Sequence, residues 1–252
     1  MLLALQKAIV YGPVKSRRLG HSLGVNILPA GTKVCSFNCL YCQYGWTDFK
    51  MLENCAALAL PTREQVVSAL EAALRRLPTP PAFITFSGNG EPTLHPDFGR
   101  IVESVVEVRN RLAPHARTAI LSNSTTVAER GVREALKRLD VRIMKLDAGT
   151  AEKLASYNQP APGIDLDSVL RGLSGLKDVT LQALFTGGPM GNASVSEVKA
   201  WISRVKSLAP RAVQIYSLAR GYPSREISAL ERGELDAIKQ RLDAAGVTSE
   251  VF

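Results

Sequence analysis

The sequence of 252 residues is poor in cysteine, histidine and aromatic residues, with four cysteines, three histidines and 6% Phe, Trp and Tyr. So few cysteines exclude a small secreted domain held together by disulfides. No apolar run reaches the roughly 18–20 residues that cross a bilayer. Residues 1–12 are apolar, but they lack the basic region and the small-residue cleavage site of a signal peptide. We therefore expect a cytoplasmic protein with no membrane partner.

The chain also lacks a linker rich in Gly, Ser or Pro and has no low-complexity segment. One domain over residues 1–252 is therefore expected. We divide it into an N-terminal extension with the first strand (1–30), a cysteine-bearing loop (31–58) and the remaining β/α units (59–252).

Basic residues are in excess, because 31 Lys and Arg against 23 Asp and Glu give a net charge of +8. This balance suits a polyanionic partner such as RNA. The basic residues are nevertheless spread along the chain, with only short pairs such as Arg17-Arg18. A solvated basic surface is an equal alternative, so charge alone decides nothing.

Apolar runs of strand length alternate with amphipathic stretches of helical period. We predict six strands, at 24–30, 82–88, 118–123, 141–147, 179–185 and 212–218. Helices are predicted at 62–77, where Thr62 and Gln65 form a capping box, and at 97–112, 126–138, within 150–176, 194–208 and 232–245. This order predicts parallel strands with right-handed crossovers, in a doubly wound sheet or an incomplete (β/α) barrel.

Polar residues follow the predicted strands, and the cysteines follow the first one. The carboxyl ends of parallel strands meet at one rim of such a fold. We therefore expect one functional site at that rim.

Three of the four cysteines, Cys35, Cys39 and Cys42, lie within eight positions. A structural zinc site needs four ligands, usually in two pairs, and Cys55 is distant with no neighbouring His. Three thiolates on one loop instead suit three corners of a [4Fe–4S] cluster and leave the fourth iron open. A cluster is favoured over zinc.

The stretch `CSFNCLYC`, with Tyr41 before its last cysteine, resembles the signature of the radical S-adenosylmethionine (SAM) superfamily. Further stretches resemble the branch related to the tRNA wyosine-base (4-demethylwyosine) synthases: `GPVKSRRLGHSLGVNILP`, `GNGEPTLHP`, `LSNST`, `KLDAG` and `VQIYSL`. The resemblance covers nearly the whole chain. It implies an α/β fold, a partial (β/α)6 TIM-like barrel of the radical SAM type.

The resemblance also implies the chemistry. A [4Fe–4S] cluster on Cys35, Cys39 and Cys42 binds SAM, and an electron from a donor such as flavodoxin or ferredoxin cleaves SAM to a 5′-deoxyadenosyl radical. That radical abstracts hydrogen from a substrate, for which we favour a tRNA base. A peptide or small metabolite is the first alternative, and a non-catalytic iron–sulfur redox protein is the second. The upstream cysteine set of the wyosine synthases is missing before Cys35, which argues against pyruvate-dependent wyosine chemistry.

The segment Gly90, Glu91 and Pro92 corresponds to the family motif that holds the SAM amino group, and Tyr41 belongs to the same cofactor-binding set. A plain turn at a strand end is the alternative. Ser122 and Asn123 suit ribose or carboxylate contacts, although a helix N-cap explains one of them equally well.

Lys145 and Asp147 lie two apart on a predicted strand, so their side chains share a face. We assign them catalytic roles, with Asp147 also in SAM binding, and a structural ion pair is the alternative. Arg17 and Arg18 are candidates for binding a substrate anion or the SAM carboxylate, or else belong to a surface loop. Gly187, Gly188 and Asn192 either approach adenosine or form a flexible loop, and Cys55 is expected to be a small buried hydrophobe.

Overall fold

Eight strands form one sheet in the computed structural model, which describes residues 1–52, 55 and 58–252. Seven of them are parallel, and the first pairs antiparallel with the second in a hairpin. In spatial order they are β1 (Val10–Ser16), β2 (Gly20–Val25), β5 (Phe83–Phe86), β6 (Arg117–Ser122), β7 (Val141–Lys145), β8 (Val179–Leu184), β9 (Ala212–Tyr216) and β10 (Ser249–Val251). Two further strands, β3 (Val34–Cys35) and β4 (Phe49–Lys50), pair with each other.

Helices connect the parallel strands, as the alternation predicted. They are α1 (Arg63–Arg76), α2 (Phe98–Leu112), α3 (Arg130–Lys137), α4 (Ala151–Lys153), α5 (Leu166–Ser174), α6 (Val195–Leu208) and α7 (Arg232–Ala244), with a π-helical turn at Leu154–Asn158 directly after α4. The predicted capping box at Thr62 and Gln65 is present. Among the described residues, no helix is long and apolar enough to cross a membrane.

The architecture is the predicted partial (β/α) barrel, with the sheet left open between β1 and β10. Side chains meet across this opening. The guanidinium of Arg18, in the turn between β1 and β2, lies 5.8 Å from the ring of Phe252, just after β10. The two edges are therefore close in space without sharing backbone hydrogen bonds.

Some predicted boundaries were wrong. The first parallel strand is residues 20–25 rather than 24–30, because the Asn26 side chain binds the Leu28 carbonyl and the Asn89 amide and turns the chain out of the sheet. Helix α3 begins at Arg130 rather than 126, because residues 125–128 form a turn in which the Glu129 amide donates to the Thr126 carbonyl. The short or exposed strands β1 and β10 were missed.

Helix α6 packs closely under the end of β7. The indole of Trp201 is fully buried, lies 4.9 Å edge-on from the Phe185 ring and donates to the Leu146 carbonyl at 2.8 Å. A Cβ on Gly149 would lie 2.1 Å from the Trp201 backbone nitrogen, so only glycine permits this approach. The turn after β7 is therefore fixed against a rigid helix.

Glu197 on α6 holds the same turn through its buried carboxylate. It accepts hydrogen bonds from the Gly149 amide at 2.5 Å and the Thr150 hydroxyl at 2.9 Å. Replacing Glu197 with Ala leaves a buried N–H without its partner, so we expect the free energy of unfolding to fall by about 1–3 kcal/mol. Denaturant unfolding measures this change.

Glu107→Ala is the matched control, because Glu107 is exposed on helix α2. We expect that variant to stay within about 0.5 kcal/mol of the parent protein. Equal stability of the two variants would show that Glu197 does not anchor the turn.

Candidate active site

A cavity of about 470 Å³ opens at the carboxyl ends of the strands. Its volume lies within the roughly 300–1,000 Å³ of ligand pockets. The predicted candidates that line it are Arg17, Arg18, Cys35, Cys39, Tyr41, Cys42, Gly90, Glu91, Ser122, Asn123 and Lys145. The cavity therefore brings together side chains from the β1–β2 turn, the cysteine loop and the ends of three parallel strands.

The cysteine loop is closed by its own hydrogen bonds. Strands β3 and β4 pair at its two ends, and the Lys33 amide donates to the Asp48 carboxylate at 2.8 Å. The ammonium of Lys33, which is only 2% exposed, donates to the Gly45 carbonyl at 2.6 Å across the loop. These bonds fix the path of the chain that carries the three thiols. Lys33 was not identified from the sequence, where it is an isolated basic residue.

The `GNGEP` segment pairs directly with the strand that carries Cys35. The Val34 amide donates to the Asn89 carbonyl at 2.9 Å, and the Glu91 amide donates to the Val34 carbonyl at 3.0 Å. Between them, a Cβ on Gly90 would lie 1.7 Å from the Val34 oxygen, and Gly90 has a φ of 133°. Glycine is therefore required here for contact with the Val34 backbone, whereas the predicted role of the segment in holding SAM stays a prediction.

Glu91 is a buried carboxylate with a fixed orientation. It accepts from the Thr93 amide at 3.1 Å and hydroxyl at 2.7 Å, and from the Asn123 amide at 2.5 Å. Burial raises its pKa, and the hydrogen bonds from Asn123 and Thr93 partly offset that rise. None of the ion pairs formed by the described residues includes Glu91. A ligand cation would complete its surroundings.

Asn123 connects the end of β6 to two other parts of the site. Besides the bond to Glu91, its side-chain amide donates to the Ser36 hydroxyl at 2.8 Å and lies 3.5 Å from the Cys35 sulfur. Ser122 lines the cavity beside it and accepts from the Ser124 amide at 3.1 Å. The alternative role as a helix N-cap is wrong for both residues, because α3 begins at Arg130 after Glu129.

Lys145 and Asp147 form the predicted pair, with 3.0 Å between the ammonium and Oδ1. The charge of Asp147 raises the Lys145 pKa well above its usual range, against the opposing effect of burial. Asp147 also accepts from the Leu184 amide at 2.9 Å, the Asn158 side chain at 3.0 Å and the Tyr41 hydroxyl.

These contacts make Asp147 a positioning residue for Tyr41 and Lys145. Lys145 is one of the described residues lining the cavity, whereas Asp147 is not. The direct role of Asp147 with SAM or substrate stays a prediction, and its contacts favour the alternative of a structural ion pair.

Asn158 is a site residue that sequence analysis missed. Its side-chain amide donates to the Cys39 sulfur at 3.3 Å and to Asp147, and it lies in the π-helical turn after α4. No motif marks it, since the turn brings it to the loop only in the folded chain. Its Oδ1 atom is buried without a hydrogen-bond partner among the described residues.

Several predicted candidates lie away from the cavity. Pro92 begins a short 3-10 helix, Gly187 and Gly188 contact the segment around Ser228, and Asn192 is buried with bonds to the Asp147 and Leu184 carbonyls. None of these four residues is among the described residues that line the cavity. Cys55 packs in a separate buried cluster beside Met51, as expected for a small hydrophobe.

The thiols fit a cluster better than a single ion. Burial raises the pKa of Cys35 to about 12 and that of Cys39 to about 11, so both are thiols until a cationic group displaces their protons. Cys35, Cys39 and Cys42 line one cavity, and thiolates are the ligands that hold iron–sulfur clusters.

Comparison with known proteins agrees with this chemistry. Residues 31–201 match the family model described as the radical SAM superfamily. A UPF0026 protein from Synechocystis is 36% identical over 178 residues, which cover 71% of this chain and 61% of that protein. This chain spans between 33% and 61% of the length of the curated relatives that it matches.

Solved structures resemble the fold at low identity. A radical SAM methyltransferase from Sphaerobacter thermophilus gives a TM-score of 0.66 at 15% identity, over 92% of this chain and 65% of that one. A structure of TYW1 with a lysine-pyruvate adduct gives 0.64 at 15% identity, over 88% and 73%. Both likenesses show that the chain shares this fold, at identities too low to separate one branch from another. SAM and a [4Fe–4S] cluster, the predicted cofactors, are those of this family.

The cysteines can be tested one by one. We expect reconstituted parent protein to hold about four irons per chain with matching sulfide, and Cys35→Ala, Cys39→Ala and Cys42→Ala each to lose most of both. Cys55→Ala is the control and should keep the iron and the visible absorbance, because Cys55 lies in a separate cluster. Loss of iron in the Cys55 variant, or one zinc without sulfide in the parent, would contradict the assignment.

Proposed function

The chain belongs to the radical SAM superfamily, and from this premise we propose that it cleaves SAM reductively and removes a hydrogen atom from a substrate. One observation carries the proposal: the three thiols share a cavity with Glu91, Asn123 and Lys145. When bound, the cluster supplies the electron that divides SAM into methionine and a 5′-deoxyadenosyl radical, which takes the hydrogen atom. The protein supplies binding, orientation and exclusion of water.

Glu91 and its neighbours are suited to the amino group of SAM. The carboxylate lines the cavity, is buried and has its orientation set by Thr93 and Asn123. Glu91 has no cationic partner among the described ion pairs, and the ammonium of SAM would supply one. A charge-assisted hydrogen bond of this kind contributes about 1.5–3 kcal/mol.

Tyr41 connects the cysteine loop to the floor of the cavity. Its hydroxyl donates to Asp147, its ring lies 5.1 Å from the Tyr157 ring, and the Lys145 ammonium lies 4.9 Å from its centroid. These contacts hold the loop between Cys39 and Cys42 against β7. A fixed wall suits a primary alkyl radical, because that radical must meet only its substrate.

A tRNA base is the substrate that we favour, and the charge of +8 supports it. Three basic residues of the cavity lining, Lys15, Arg17 and Arg220, are exposed and would face a phosphate backbone. A peptide or small metabolite is the alternative substrate, and an iron–sulfur redox carrier is the alternative function. An iron–sulfur redox carrier binds no substrate and so does not need a cavity of this volume. A flavodoxin or ferredoxin is the proposed electron donor.

Reductive cleavage is tested directly with reduced, reconstituted protein and SAM. We expect 5′-deoxyadenosine to form, and we expect Glu91→Gln to bind SAM at least tenfold more weakly because it removes the charge that faces the ammonium. Glu107→Gln, an exposed change on α2, is the matched control and should bind SAM normally. If the parent protein neither binds nor cleaves SAM, the redox-carrier alternative replaces the proposal.

The tRNA assignment has its own test. Binding of tRNA should weaken steeply between low and physiological salt, because each neutralised phosphate releases counterions. Mass spectrometry of nucleosides from wild-type and deletion strains should show one modified nucleoside lost in the deletion. An unchanged nucleoside profile with salt-insensitive binding would leave the peptide or metabolite alternative.

A further inference from the structure

The cavity carries more positive charge than the cofactors explain. Six of its described lining residues are basic and one, Glu91, is acidic; the basic ones are Lys15, Arg17, Arg18, Lys33, Lys145 and Arg220. Lys33 is bound to the Gly45 carbonyl, Lys145 is paired with Asp147, and Arg220 donates to the Gln43 side chain at 3.0 Å. Arg18 differs from these three, because no oxygen of the described residues accepts a hydrogen bond from its guanidinium.

Arg18 lies in the turn between β1 and β2, and its guanidinium reaches into the cavity. The guanidinium carbon is 4.4 Å from the centre of the Tyr216 ring. Among the described residues, Arg18 forms no ion pair, and its Nη1 atom is buried without a hydrogen-bond partner. Burial lowers the pKa of Arg18, and the charges of Arg17 and Arg220 lower it further.

The contact with Tyr216 does not replace the missing partner. A guanidinium over an aromatic ring is attracted through its face, whereas its N–H donors point outward in its own plane. A buried donor without an acceptor is costly, and buried polar groups in folded proteins are almost always paired. The stack therefore fixes the orientation of Arg18 and leaves the edge of its fork available for a planar or tetrahedral oxyanion.

Tyr216 also connects Arg18 to the catalytic side of the cavity. The Lys145 ammonium donates to the Tyr216 hydroxyl at 3.2 Å, and that hydroxyl donates to the Gln182 side chain at 3.2 Å. Lys145 thus uses two of its three N–H donors, on Asp147 and Tyr216. Two cations, Arg18 and Lys145, border the Tyr216 ring. Asp147, just after β7, forms an ion pair with Lys145 and, among the described ion pairs, not with Arg18.

We propose that Arg18 binds an oxyanion of the substrate, a carboxylate or a phosphate, inside the cavity, with the free N–H of Lys145 as a second donor. The inference rests on the proposed function in that the bound group belongs to the molecule from which hydrogen is taken. The proposed substrate is therefore an anion that is held by its charged group close to Tyr216. The second donor, the Lys145 ammonium, lies 5.1 Å from the Tyr216 ring and 4.9 Å from the ring of Tyr41 in the cysteine loop.

The SAM carboxylate is the competing source of an oxyanion. The two sources differ in the step that loss of Arg18 affects. If Arg18 holds SAM, its removal weakens SAM binding. If it holds the substrate, SAM binding is preserved and the binding of other anions is lost while SAM is present.

The test uses reconstituted holoenzyme with saturating SAM, and titrates inorganic phosphate and, separately, acetate at constant ionic strength in calorimetry. We expect saturable binding of at least one anion by the parent protein. In Arg18→Met that binding should weaken at least tenfold, while SAM affinity changes less than twofold. Arg18→Lys should restore part of the anion binding, because a point charge remains without the bidentate fork.

Arg211→Met is the matched control, since Arg211 is exposed before β9 and the change in net charge is the same. It should bind anions like the parent protein. Equal loss in the Arg211 and Arg18 variants, absence of saturable binding in the parent, or a tenfold loss of SAM affinity in Arg18→Met would each overturn the proposal. The anion titration needs no turnover, so a protein that binds the anion but forms no 5′-deoxyadenosine refutes the proposed function alone.

Discussion

The site depends on one backbone contact, the pairing of Val34 with the segment around Gly90. Two hydrogen bonds join the chain that carries Cys35 to the turn that carries Glu91, at 2.9 and 3.0 Å. The contact is so close that a Cβ on Gly90 would overlap the Val34 oxygen. An irregular loop has little stability of its own. Here it acquires the rigidity of the parallel sheet, because β5 runs directly into its partner segment.

Asp147 is a second point of attachment, on the opposite side of the loop. Its carboxylate joins Tyr41 of the cysteine loop, Lys145 of β7, the Leu184 amide of β8 and Asn158 of the π-helical turn. A buried carboxylate with a cation and three hydrogen-bond donors is satisfied, whereas removal of one partner would leave an expensive charge. The loop is thus held between Glu91 and Asp147, and each carboxylate is oriented by backbone amides from a neighbouring strand.

The open barrel explains why the cavity has an unbalanced cation. A closed sheet would place a strand between β1 and β10, but here the turn after β1 supplies side chains to the opening instead. Arg18 crosses it and stacks on Tyr216 near Phe252. An arginine on a hairpin turn can change without disturbing the parallel strands. A substrate anion held by Arg18, as proposed, would therefore be recognised at this opening, apart from the cysteine loop and Glu91.

The sequence by itself determined most of the parallel strands and helices and the kind of site to expect. Apolar runs separated by amphipathic stretches predict parallel strands and helices, because each pattern suits only one periodicity of burial. The spacing of Cys35, Cys39 and Cys42 predicts a loop that holds a metal cluster, since three thiols this close cannot serve as long-range staples. The strand ends of a parallel sheet then predict that Glu91, Asn123 and Lys145 share one rim.

Only the tertiary structure decided which of these side chains face the cavity. Lys145 and Asp147 are two positions apart, so the sequence predicts that their side chains share one face. In the structure Lys145 lines the cavity and Asp147 does not, because Leu184 and Asn158, from distant segments, donate hydrogen bonds to the Asp147 carboxylate. Asn158 and Lys33 carry no local signal, since their partners are the Cys39 sulfur and the Gly45 carbonyl. Whether Arg18 is a surface residue or a half-buried cation with an unpaired Nη1 depends on how the two edges of the open sheet approach, and no short-range pattern encodes that distance.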